Sequence, residues 1–223
     1  MSMNSEEDPE NTFISKNRLE ALVDGVFAFA MTLLAVSLSV PSIPKSEAAT
    51  ELPVYMNSMF PEFLSFVIAF FILASFWIVH HEHFHFLHSV NKFLLWLNIL
   101  ILIFVVLVPF STNLSGDYAH VQIASIVFHV NMLVLGLLFF IQWQYIIRSP
   151  SLLNGIVHPN RALDSTLYRS SIVIAAITGI ILTFFMPSYS MFSYLFVPLI
   201  IRISLWICLP RTRPFKSGQA KNE

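Results

Sequence analysis

RLEALVDGVFAFAMTLLAVSLSV, residues 18–40, carries charge only near its start, at Arg18, Glu20 and Asp24, and then runs apolar or small to Val40. About 20 such residues are what a helix needs to cross roughly 30 Å of hydrocarbon. Five further stretches of the same kind follow, at 63–81, 93–110, 121–147, 170–186 and 190–209. Prolines punctuate them. Pro41, Pro109, Pro150, Pro187 and Pro210 come at or after span ends and Pro61 near a span start, while Pro198 predicts a kink inside the sixth. The chain therefore reads as all-α, a polytopic membrane protein of six transmembrane helices. A polar N-terminal segment, 1–17, precedes the six-helix unit, 18–209, and a basic tail, 210–223, follows it.

Composition agrees. Of 223 residues, 56% are hydrophobic, 14% aromatic and only 11% charged, with a mean hydropathy of +0.72. A bilayer is the natural solvent for such a chain. A net charge of −1 supplies no basic field for nucleic acid. Cys208 stands alone, so no internal disulfide can form. The stretch 2–17 is acidic and polar, without the basic and apolar regions of a cleaved signal, so the first hydrophobic segment is expected to remain in the mature protein.

Orientation follows from the basic residues. Lys16, Arg18, Lys92, Arg148, Arg161, Arg169, Arg211, Arg213, Lys216 and Lys221 fall on one side of the six spans, and only Lys45 on the other. Both termini are accordingly expected in the cytoplasm, in a multi-pass protein of the cell membrane. Arg202 falls inside the sixth span, where it would snorkel or meet His129 or Asn131. Asn98, His129, Asn131 and Gln142 sit inside spans and suit hydrogen bonds between helices.

On a helical period, residues 18–40 divide into two adjacent seams. Ala21, Gly25, Ala28, Thr32, Ala35 and Ser39 make one of small residues; Leu22, Val26, Phe29, Leu33, Val36 and Val40 make one of bulky apolar residues. Small seams let membrane helices approach closely, so helix one is expected to pack tightly there. The bulky seam admits two readings: contact with lipid or bundle interior, or the lining of a narrow pore that gates by dewetting. Periodicity alone does not choose between them.

The stretch from Arg18 through Leu22, Val23, Asp24 and Gly25 resembles the helix-one signature of the transmembrane protein 175 family of potassium channels, an Arg followed after three residues by Phe-Ser-Asp. A second span ending in Trp77-x-x-His80-His81, and a length suited to one six-helix unit, resemble the family's prokaryotic members. The resemblance implies a potassium-permeable, non-enzymatic channel of four identical chains around a pore lined by helix one, with permeant potassium and no cofactor, catalytic residue or metal site. It further implies a constriction five residues after the motif Asp, at Phe29, extended by Leu33 and Val36. All three lie on the bulky seam. The chain departs from the pattern at Leu22 and Val23, where Phe and Ser are typical, and at Phe29, where Ile is common. The looped Thr-Val-Gly-Tyr-Gly filter of other potassium channels is absent.

Arg18 and Asp24 near the end of a membrane helix need partners. Trp77 and a histidine are natural donors to Asp24. The resemblance implies that Arg18, Asp24, Trp77, His80 and His81 knit helices one and two together, with a secondary part in gating. Since histidine titrates near neutral pH, the same set would make opening respond to cytoplasmic pH. A rival reading of another class comes from His81-Glu82-x-x-His85, the spacing of a zinc metalloprotease helix. It lacks an evident third ligand, the nearest acidic candidate being Asp164. A carrier is disfavoured, because neither paired halves nor a deep acidic residue is present.

Overall fold

The computed structural model describes residues 15–38, 40–153 and 159–197, with backbone alone over 159–169. In chain order the elements are α1 (Lys16–Val36), α2 (Ala48–Ser58), α3 (Phe60–His85), α4 (Lys92–Asp117), α5 (Gln122–Ile147), a 3-10 turn (Pro150–Leu152), α6 (Pro159–Thr183) and a 3-10 segment (Pro187–Phe196). Among the described residues the only β pairing is an isolated bridge, Leu87 to Leu153. α1, α3, α4 and α5 are long and apolar enough to cross a membrane, and α6 contributes a shorter apolar stretch, Ser170–Thr183. The expected sixth span falls largely outside the described residues, as do Pro198, Arg202 and the tail 210–223.

The helices bury one face inward and leave large apolar residues such as Phe71, Phe110, Ile103, Ile123 and Ile181 outward. In water that outer surface would be unfavourable, whereas lipid tails are as apolar as the side chains themselves. α1 lies on α3 and α4, α4 on α5, α5 on α6, and the 3-10 segment closes against α6, α5 and α3. The core runs through all of them, from Leu19 and Phe27 to Phe139, Ala175 and Tyr194.

Several boundaries differ from the sequence expectation. The third span does not stop at Pro109; α4 continues to Asp117 with Pro109 buried inside it. In apolar surroundings a helix interrupted by proline gains nothing by unwinding, because no water waits to satisfy the freed backbone. α3 likewise runs past His81 to His85, since His83 and Phe84 bury against the bundle. α2, with Pro53 inside and no buried residue, lies in what reads as a loop. The sixth span's described start is 3-10 rather than α, with Ser190 and Ser193, and Met191 and Tyr194, turned inward at a spacing of three.

Candidate functional site

Three faces of α1 carry the argument. The inward face is neither of the two seams seen in the sequence but a third, Leu19, Val23, Phe27, Ala30 and Leu34, all buried against α3 and α4. The small seam is exposed along its described length, and a methyl added at Gly25 would meet nothing within 4 Å. Among the described residues, therefore, nothing packs closely on that seam. Bulky side chains filled the inward face first, since burying them there gains the most contact.

The bulky seam stands out as well. Phe29 is 61% exposed and Val36 77%, while Leu33 and Val26 lie half-buried where the seam borders the core. Arg18 is exposed on the same side, and its guanidinium has no hydrogen bond or ion pair among the described residues.

Behind this face, α1 is pinned to α3. The Trp77 indole Nε1 donates to Asp24 Oδ1 at 2.8 Å, and the exposed His81 ring stacks beside Trp77 with centroids 6.3 Å apart. Lys16 Nζ donates to the Leu87 carbonyl at 2.9 Å, tying the start of α1 to the turn after α3. His80 points the other way, into the bundle, so the two adjacent histidines serve different sides of α3.

His80 belongs to a buried network that joins α3, α4 and α5. Its Nε2 donates to Asn98 Oδ1 at 2.8 Å, and Gln142 Nε2 donates to the same oxygen at 3.0 Å. Asn98 Nδ2 donates to the Leu94 carbonyl, and His83 Nδ1 donates to Gln142 Oε1 at 2.6 Å. Each amide orientation follows from its neighbours, and together they fix His80 Nε2 as a hydrogen-bond donor. The His83 ring stacks on Trp143 at 5.3 Å. Sequence reasoning flagged Asn98 and Gln142 as interhelical groups but missed His83. The available signal was its helical position: His83 is three residues past His80 and shares its inward face.

A second buried cluster holds the 3-10 segment. Ser190 Oγ donates to the Pro187 carbonyl at 2.8 Å, so it accepts from His129 Nε2 at 2.9 Å. His129 Nδ1 then accepts from the Tyr194 hydroxyl at 3.1 Å. Among the described residues His129 thus pairs with Tyr194 and Ser190, a hydrogen bond between segments of the kind expected from the sequence, while Arg202 lies outside them. The zinc-protease reading finds no support: His81, Glu82 and His85 all face outward, and among the described residues no three potential metal ligands converge.

The model of the family Endosomal/lysosomal potassium channel TMEM175 matches residues 18–109, which hold α1, the pinning pair and most of α4. A potassium channel of Chamaesiphon minutus is 30% identical over 142 residues, covering 62% of this chain and 68% of that one. This chain belongs to the TMEM175 family. A Streptomyces collinus potassium channel is also 30% identical, over 136 residues, with 59% of this chain matched to 65% of the relative. The crystal structure of a lysosomal potassium-selective channel TMEM175 homologue from Chamaesiphon minutus shares the fold, with a TM-score of 0.70 over 85% of this chain and 97% of that one at 23% identity. TMEM175 is a family of channels, not enzymes.

Proposed function

We propose that this chain is one subunit of a potassium-permeable cation channel, four copies of which surround a pore lined by α1. The observation that carries the reading is that α1, the helix bearing the family signature, buries one row of side chains and turns the bulky row of Phe29 and Val36 away from that core. An aromatic and aliphatic stripe on the helix that carries the family signature suits symmetry mates meeting across an axis. Phe29, Leu33 and Val36 form the constriction, and such an apolar ring gates by admitting or expelling water rather than by a carbonyl filter. The open small seam, running beside the bulky one, is free to receive a neighbouring subunit at close range.

In this reading Asp24 and Trp77 hold α1 at a fixed rotation, with His81 packed on the outer side of Trp77 and His80 tying α3 to α4. The Arg18 guanidinium, unpaired among the described residues, finds its partner across the subunit boundary. Both termini face the cytoplasm of the cell membrane, following the basic residues. Protein reconstituted into liposomes under a potassium gradient is expected to carry a flux that dissipates it. Absence of flux, with peptidase activity lost in Glu82→Gln, would replace the channel by the rival reading.

A further inference from the structure

A cavity of about 710 Å³ opens between the start of α4 and the end of α5, and no residue of α1 lines it. Its wall is graded. Phe140, Gln144 and Arg148 line it at spacings of four, so along roughly 12 Å of one helix face the chemistry passes from a phenyl ring through an amide to a guanidinium. Beside them Ile141 leads to Tyr145 and Ser149 in the same order, apolar to hydroxyl.

The polar end is built, not loose. The Phe93 and Tyr145 rings meet at 4.4 Å, tilted by 41°, and Tyr145 is held through its hydroxyl, which accepts from Asn91 Nδ2 at 2.6 Å, while Asn91 Oδ1 caps α4. Arg148 is exposed, and its guanidinium makes no hydrogen bond or ion pair among the described residues. Among the described residues no carboxylate lines the cavity, and the exposed Lys92 stands next to Phe93 at the α4 end. The positive start of α4 and the negative end of α5 offset each other there, so the Arg148 guanidinium sets the sign.

We propose that this cavity binds an anionic phospholipid of the adjoining leaflet, its phosphate on Arg148, its glycerol region against Gln144, Tyr145 and Ser149, and an acyl chain along Phe140 and Ile141. A basic rim above an apolar wall at the end of a membrane span matches the polarity gradient of a lipid molecule. A soluble anion would use the guanidinium but not the apolar wall, which favours the lipid. The site is separate from the ion path and does not depend on the channel reading.

The test is native mass spectrometry of the detergent-solubilised assembly with added phosphatidylglycerol or phosphatidylcholine. Phosphatidylglycerol is expected to be retained preferentially. Arg148→Gln should lower its retention about fivefold, the loss of one cation at a membrane surface, while leaving phosphatidylcholine unchanged. Arg148→Lys should keep most of the preference. Equal retention of the two lipids would overturn the proposal, as would an unaltered preference in Arg148→Gln. Displacement of the lipid by an equal concentration of glycerol phosphate would overturn it too, because the apolar wall would then contribute nothing.

Discussion

Gly179→Ala isolates the His129 cluster. Gly179 is buried in α6 directly beneath the His129 imidazole, and an added Cβ would fall inside the van der Waals radii of ring atoms Cε1 and Nδ1, with Nε2 only 3.0 Å away. The ring must move, and its displacement breaks the bonds to Tyr194 and Ser190 that hold the 3-10 segment. Overpacking costs about 2 kcal/mol and two membrane-type hydrogen bonds about 1.5 kcal/mol together. The better helix propensity of alanine returns about 1 kcal/mol. The net is about 2.5 kcal/mol, or roughly 7 °C in the unfolding midpoint of a chain this size. Thermal unfolding of the purified protein should show that drop. In a His129→Ala background the new methyl has room, so adding Gly179→Ala should then cost little or even stabilise. An equal loss in both backgrounds would refute the steric argument, because the imidazole would not be what the methyl strikes.

Two further substitutions probe the polar ties between helices. Trp77→Phe keeps the ring but removes the donor to Asp24, and should lower stability by about 1 kcal/mol in thermal unfolding, with Asp24→Asn milder than Asp24→Leu because the amide still accepts. Gln142→Leu strips the acceptor from buried His83 and a donor from Asn98, and should cost about 2 kcal/mol in the same assay; a neutral outcome would mean that the His83 proton finds another acceptor at no cost.

Much of the fold was legible because hydropathy over 20 residues is a strong signal. The second, third and fourth spans came within a few residues of α3, α4 and α5 at most ends. Proline misled at Pro109, where the rule for water-exposed helices gave way to the bilayer's lack of alternative partners. α2 was missed because Pro53 and a run of exposed polar residues resemble a loop, and nothing in its periodicity marks a buried face. On α1 the bulky and small seams were drawn correctly as rows of residues. The row that packs inside the chain, through Leu19 and Phe27, was passed over because it mixes large residues with Ala30 and so looks unremarkable beside the other two. Asp24 and Trp77 were both named, and their bond follows from donor meeting acceptor. His83 stayed hidden among five histidines in nine positions, where only a three-dimensional neighbour tells an inward ring from an outward one.

Phe29 on α1 and Phe110 on α4 are each 61% exposed in the single chain, so exposure does not distinguish a residue facing the ion path from one facing lipid. The most direct measurement is single-channel recording in planar bilayers of Phe29→Ala beside Phe110→Ala. A changed potassium conductance or cation selectivity in Phe29→Ala, with Phe110→Ala matching the unmodified channel, is the predicted result. Identical currents in Phe29→Ala and the unmodified channel would contradict the assignment of this α1 face to the pore.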